Sequence, residues 1–208
     1  MNKNNINIRL EKFDDYFIVE NLVRESFWNV YRPGCLEHYL LHCLRGDENF
    51  VHSLDFVMEY NGKIIGQIAY VNAQIKCDNG RIVPVMTAGP LCIHPDFQNH
   101  GFGKLLLDYS LNEAKKIGCN AVLIEGNYAF YSKCGFTYAS EYNIRYNGLE
   151  EGDDSSFFLC NLLVPNAFSG LTGEYSTPKC YFIDENKADE FDKQFPYKEK
   201  LILPTQIF

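Results

Sequence analysis

The stretch richest in chemical meaning runs Leu91-Cys92-Ile93-His94-Pro95-Asp96-Phe97-Gln98-Asn99-His100-Gly101-Phe102-Gly103-Lys104. Its apolar start predicts a strand, its two glycines predict a tight loop, and helical apolar spacing begins at Lys104. A strand feeding a glycine loop that opens a helix gathers the unpaired N–H groups of the first turn at one place. The helix dipole adds a positive field there, which suits a phosphate or pyrophosphate. A side chain at Gly101 or Gly103 is expected to hold such a ligand away from the backbone donors. Two familiar phosphate motifs are excluded. A Walker loop would need Ser or Thr after Lys104 and Gly five residues before Gly103, where Leu105 and Gln98 stand. A Rossmann fingerprint would need a third glycine where Leu106 stands. What remains is Gln-x-x-Gly-x-Gly between a strand and a helix.

Other residues carry weaker chemistry. His38 and His42 are four apart on a predicted helix, but the order His-Glu-x-x-His is missing and no metal site is expected. Cys134 beside Lys133 reads as a core cysteine rather than a reactive thiolate. The run Glu150-Glu151-Gly152-Asp153-Asp154 reads as a solvated turn, with attraction of a cationic amine as the alternative.

These groups need a scaffold, and the pattern supplies one. Ile6, Ile8 and Leu10 alternate as a first strand, and Asp14 or Asp15 is placed to cap a helix carrying Tyr16, Val19, Leu22, Val23 and Phe27. A second helix is predicted from Leu36 to Leu44. Asn61-Gly62 joins the strands Asp55–Tyr60 and Lys63–Lys76 as a hairpin, and Asp78-Asn79-Gly80 turns into Ile82–Met86. Leu106, Leu107, Ser110, Leu111, Ala114 and Ile117 stripe one face of the helix after the glycine loop. Ala121–Ile124 reads as a buried strand, Tyr128–Lys133 as a short helix, Phe136 as the opening of a strand and Phe157–Val164 as the last apolar strand. Strands and helices in this order predict an α+β domain with one parallel βαβ crossover. The expected organisation is a domain over 1–164 with 165–208 wrapped on it as an extension.

Composition removes whole classes of function. The 208 residues are 46% hydrophobic and 15% aromatic, enough for a packed core. A net charge of −8 argues against nucleic acid or an anionic membrane as the main partner. The start Met1-Asn2-Lys3-Asn4-Asn5-Ile6 has no apolar leader, and no stretch reaches the roughly 18 apolar residues of a membrane span, so a cytoplasmic protein is expected. None of the eight cysteines are spaced Cys-x-x-Cys, which predicts small buried residues in a reducing compartment.

With these residues in hand, the chain resembles the GNAT superfamily of acetyl-CoA-dependent N-acyltransferases over about residues 6–175. Gln98, Gly101 and Gly103 match the family's Arg/Gln-x-x-Gly-x-Gly/Ala loop, and Leu91-x-Ile93-x-Pro95 resembles its Leu-x-Val-x-Pro strand. Asn127 through Phe136 is similar to its Asn-x-x-Ala-x-x-Tyr-x-x-x-Gly-Phe segment with shorter spacing. Gly89-Pro90-Leu91-Cys92-Ile93 and Leu162 through Gly173 resemble the YhbS-like bacterial predicted acetyltransferases. The resemblance implies an α/β/α sandwich with a mixed, mostly antiparallel sheet and a splayed parallel strand pair at the acetyl-CoA site. It implies acetyl-CoA contacts from Leu91, Cys92, Ile93, Gln98, Asn99, His100, Gly101, Phe102, Gly103, Lys104 and Asn127. Tyr131 stands where the family's tyrosine returns a proton to the leaving thiolate.

The family's strand glutamate has no counterpart, because Val85–Ile93 holds no carboxylate. Glu59, Glu125, Glu25 or a water chain stay open as the base. The implied reaction is direct acetyl transfer to a primary amine, on a small molecule or a protein. A CoA-sensing module without transfer is the alternative, and a homodimer is implied by analogy only.

Overall fold

The computed structural model describes residues 5–150 and 152–206, so the readings of Met1–Asn4 and of Glu151 in the acidic turn lie outside the described residues. The fold is α+β, with nine strands in a mixed sheet and five α-helices among the described residues. The described residues group into two compact units, one from 1–69, 90–106 and 179–208, the other from 70–89 and 107–178.

In the first unit, β1 (Ile6–Leu10) pairs antiparallel with β2 (Phe56–Tyr60), register Ile6↔Tyr60 through Leu10↔Phe56. β2 pairs antiparallel with the start of β3 (Lys63–Cys77), with a bulge at Met58/Glu59. Asn61 and Gly62 both take positive φ, 50° and 77°, the geometry that matches a two-residue hairpin to strand twist. α1 (Tyr16–Phe27) buries Val19, Leu22 and Val23, and α2 (Glu37–Leu44) buries Leu41 and Leu44. Asp15 precedes α1 without capping it. Its carboxylate goes instead to Arg9 (2.6 and 3.0 Å) and the Lys12 N–H (2.9 Å), and Phe13–Asp15 forms a 3₁₀ turn. α5 (Glu185–Asp192) is anchored here by the buried Arg24, whose guanidinium donates to Asp192 at 2.6 and 3.1 Å.

In the second unit, the end of β3 pairs with β9 (Gly173–Tyr175), which also pairs parallel with β7 (Ile144–Tyr146). β5 (Ala121–Glu125) pairs antiparallel with β8 (Phe158–Leu162), and β8 with β6 (Thr137–Tyr138). Ile75, Val85, Leu123, Ile144, Phe158 and Tyr175 interleave in the core beneath these strands. β9 was not expected, nor was β7 as a separate strand, since the strand expected from Phe136 up to Asn147-Gly148 is divided into β6 and β7. β7 and β9 each span three residues, too few for a period-2 pattern to stand out. β9 lies in the stretch 165–208 and is part of the sheet rather than a wrapping.

β4 (Ile82–Ile93) is one continuous strand where two pieces, Ile82–Met86 and Leu91–Ile93, were expected. It pairs parallel with β5 over Met86↔Val122 and Thr87↔Leu123. Gly89 then takes φ 154° and Pro90 has no N–H to give, so the chain itself breaks the ladder there. α3 (Phe102–Lys116) buries Leu106, Leu107, Ser110, Leu111 and Ala114 as its stripe requires, whereas Ile117 beyond its last turn is 50% exposed. Six cysteines are buried and Cys43 and Cys180 half-buried. No helix among the described residues is long and apolar enough to cross a membrane.

Candidate functional site

In the first unit the end of β4 and the following loop are held by a small set of hydrogen bonds. Gln98 Nε2 donates to Ile93 O at 2.9 Å, and Ser26 Oγ on α1 lies 3.2 Å from the same oxygen. The His94 N–H donates to Ile65 O at 2.8 Å. His94 Nδ1 accepts from the Asp96 N–H at 3.2 Å and caps the 3₁₀ turn Pro95–Phe97. Gln98 therefore spends its side chain on fixing the strand end, a use its place in the motif did not announce.

Asn99 and Gly101 take φ of 61° and 81°, two left-handed residues on either side of His100. Such alternation turns successive main-chain N–H groups toward a common concave side, a cradle for an anion. The Leu105 N–H donates to Gly101 O at 3.1 Å, so α3 begins at Phe102 rather than at Lys104 and Gly103 belongs to its first turn. By helix geometry the N–H groups of that turn point out of the helix end. No heavy atom stands within 4 Å of where a Cβ on Gly101 would lie. Within the chain, glycine is needed there for its backbone angle, and the space beside it is an open cradle that a side chain would enter.

Two lysines stand on the segments next to this loop in a chain of net charge −8. Lys104 lies in the first turn, and Lys63 Nζ sits 5.7 Å above the Phe97 ring. Phe102, 1% exposed, plugs the loop into the unit against Tyr60 (ring centroids 5.9 Å). His100 stacks at 24° over Phe102, and its Nδ1 lies 2.7 Å from Gln98 O. Cys92 and Ile93 have buried side chains, and burial pushes the Cys92 thiol up to about 12. Only their main chain is left for a ligand.

The Tyr131 region belongs to the second unit. The Gly126 N–H donates to Phe157 O at 2.8 Å as β5 ends. Asn127 Oδ1 accepts from the Ala129 N–H at 2.8 Å and caps the single turn α4 (Tyr128–Tyr131). Asn127 is thereby committed to shaping the turn. The Tyr131 ring meets Phe130 (4.9 Å, 78°) and Phe136 (5.6 Å, 66°) edge to face, and it occupies the space a Cβ on Gly126 would need. The buried Tyr70 has its hydroxyl 2.7 Å from Ser110 Oγ. Burial is the first cause raising the Tyr70 hydroxyl, with Cys119 and Tyr131 adding to it.

The three candidate bases differ sharply in their surroundings. Glu59 accepts from Asn7 Nδ2 (2.9 Å) and Arg9 Nε (2.8 Å), and the Asn7 and Arg9 hydrogen bonds hold its carboxyl below the usual range. Glu25 pairs with Lys198 at 2.8 Å. Glu125, at the end of β5, accepts from Thr177 Oγ1 at 2.7 Å, and that oxygen lies 2.7 Å from the Tyr146 hydroxyl. His38 and His42 do not converge: buried His38 sits between Cys35 Sγ (3.3 Å) and Asp192 (3.1 Å), and His42 meets Glu20 at 3.0 Å. Burial pushes the His38 ring down to about 4, so it is neutral at ordinary pH.

Two features escaped the sequence. Gly126 makes room for Tyr131, and only its place just ahead of the Asn127 turn could have pointed to it. Gly66 brings β3 against Cys92 O, where a Cβ would stand 3.2 Å from that oxygen.

Residues 52–138 match the family model of the acetyltransferase (GNAT) domain. Among curated relatives, this chain is 26% identical to the uncharacterized N-acetyltransferase YhbS of Escherichia coli (strain K12) over 166 residues, 80% of this chain and 92% of YhbS. It is 29% identical to the uncharacterized N-acetyltransferase YjhQ of the same organism over 98 residues, spanning 47% of this chain and about half of YjhQ (53%). The crystal structure of Escherichia coli YhbS in complex with CoA superposes with TM-score 0.73 and 25% identity, over 85% of this chain and 92% of that one. A GNAT acetyltransferase from Brucella melitensis, solved with acetyl-CoA, shares the fold at TM-score 0.66 and 20% identity, over 85% and 98% of the two chains.

Proposed function

We propose that the protein is an acetyl-CoA-dependent N-acetyltransferase that acetylates a primary amine by direct attack in a ternary complex. The observation carrying this reading is the cradle at Asn99–Gly103, with its two left-handed residues and the start of α3 directly after the strand end Leu91–Ile93. YhbS, which resembles this chain over most of its length, was crystallised with CoA. In this reading the main chain of Asn99–Lys104 binds the pyrophosphate, with His100 and Phe102 shaping the loop. The main chain of Leu91, Cys92 and Ile93 orients the acyl arm. Acetyl-CoA supplies an activated thioester carbonyl, and fixed donors and a fixed attack distance lower the barrier. Tyr131 Oη gives its proton to the departing sulfur. Glu125, which accepts from the neutral Thr177 hydroxyl, is the base favoured over the ion-paired Glu25 and Glu59.

Net charge −8 favours a cationic acceptor, a polyamine or a lysine-bearing chain, and the setting fits a cytoplasmic protein. The test is calorimetry with acetyl-CoA followed by an amine-library screen that reads free thiol. Binding and thiol release support the reading, and absence of binding by folded protein overturns it. Binding without release from any amine would favour a CoA-sensing module. That second reading draws on the commitment of Glu25 and Glu59 to ion pairs.

A further inference from the structure

Three side chains from distant stretches of the second unit meet at the end of β5, just ahead of the turn that carries Tyr131. Glu125 closes β5, where its register partner on β8 is Phe158. Tyr146 closes β7 opposite Tyr175 on β9, and its ring meets Phe157 and Phe158 edge to face, both at 5.2 Å. Thr177 follows β9, and Asn147 ties down the segment before it. The Asn147 N–H donates to Tyr175 O at 2.8 Å, and its Nδ2 donates to Ser176 Oγ at 2.9 Å. So placed, Thr177 Oγ1 stands 2.7 Å from Glu125 Oε1 and 2.7 Å from the Tyr146 hydroxyl. Tyr146 and Thr177 both lie outside residues 52–138 that match the family model, and neither has a part in the transfer as proposed.

The direction of the hydrogens in this chain is fixed by what each group can give. A carboxylate accepts and cannot donate, so the Thr177 hydrogen points at Glu125 Oε1. Threonine has no second hydroxyl hydrogen, so the bond between Thr177 and Tyr146 is made with the tyrosine's. The chain therefore runs from Tyr146 O–H to Thr177 O–H to Glu125, each donor polarising the next. Burial raises the Tyr146 hydroxyl above its usual value, which keeps the hydrogen on it.

The links differ in how firmly they are held. Packing fixes the Tyr146 ring, and a branched Cβ restricts the Thr177 rotamer. A glutamate at the end of a strand has far more rotamer freedom to lose. We infer that Thr177 and Tyr146 are positioning residues for the base: the Thr177 hydroxyl holds the Glu125 carboxylate in one orientation, and Tyr146, by donating to Thr177, keeps that hydroxyl's hydrogen on the carboxylate. The inference rests on the reading of Glu125 as the base that takes the acceptor amine's proton. A general base acts only within hydrogen-bond reach of the proton it removes, so a carboxylate left to swing is out of place for part of the time.

The experiment measures steady-state thiol release from acetyl-CoA by the full chain with the most active amine of the library screen, alongside acetyl-CoA calorimetry and thermal melts. Thr177→Val keeps the branched shape and removes the hydroxyl. Its kcat should fall about tenfold, the effect of one hydrogen bond to a charged group, while acetyl-CoA affinity holds. Thr177→Ser puts a hydroxyl back and should return kcat close to wild type. Tyr146→Phe should lower kcat about threefold by itself and add nothing to Thr177→Val, because its route to Glu125 has gone. Wild-type kcat in folded Thr177→Val, no recovery in Thr177→Ser, or additive losses from Tyr146→Phe overturn the positioning role while the acetyltransferase reading stands. If Thr177→Val fails to fold, Glu125→Gln decides, since Tyr146→Phe must lose its effect once the carboxylate is gone and a persisting effect overturns the role. Wild-type turnover in Glu125→Gln removes the base reading, and thiol release by the wild type from no amine removes the transfer reading. The positioning role goes with either.

Discussion

The loop at Gly101 and the turn at Gly126 both depend on glycine, for opposite reasons. Gly101 has φ 81° and empty space where a Cβ would go. Gly126 needs no positive φ, but its missing Cβ is the seat of the Tyr131 ring. In the first region glycine sets the direction of the backbone so that main-chain donors can face a ligand. In the second it yields volume so that one side chain can be placed. A region that binds through its backbone must stay open, whereas a region that acts through a side chain must be packed. Phe130 and Phe136 against Tyr131 supply that packing.

Four changes would break or sharpen this contrast. Tyr131→Phe keeps the ring and its contacts and removes only the hydroxyl. Turnover should drop by about 10²-fold or more, the usual contribution of a general acid, while acetyl-CoA affinity measured by calorimetry holds. An affinity loss with intact kcat would make Tyr131 a packing residue. Gly126→Ala should destabilise the fold by about 1–3 kcal/mol in denaturant melts, since the ring and the new methyl compete for one space. It should lower kcat as well, by moving the hydroxyl. Gly101→Ala meets no clash and should cost only about 1–2 kcal/mol for the left-handed conformation, read as weaker acetyl-CoA binding with little loss of melting temperature. Gly101→Asn should do less harm than Gly101→Ala, because asparagine tolerates that backbone region, as Asn99 does two residues earlier. If alanine and asparagine were equally damaging at 101, the open space rather than the backbone angle would be what matters.

The two regions were not equally legible. The cradle could be read from Gln98, Gly101 and Gly103 because a left-handed loop entering a helix leaves its demand in residue types a few positions apart. The start of α3 was misplaced by two residues, since Phe102 reads as loop until its burial against Tyr60 is seen. Tyr131 was singled out through resemblance alone: with 14 tyrosines in the chain, residue type does not single out any one of them. Asp15 shows a local signal overruled, its capping oxygen drawn off by Arg9.

The order of residues determined what the backbone must do locally. It set the Asn61-Gly62 hairpin, the break at Gly89-Pro90, the loop through Gly101 and the amphipathic run of α3, since each depends on neighbours within one or two turns of chain. Tertiary structure alone decided which charges lose their water together. Glu11, Glu20, Arg45 and Asp55 look like surface residues one at a time, and they meet only when β1, α1, α2 and β2 close on one another. Once they are buried side by side, burial pushes the Glu11 and Asp55 carboxyls up, a property of the packed interior that no single stretch of sequence contains.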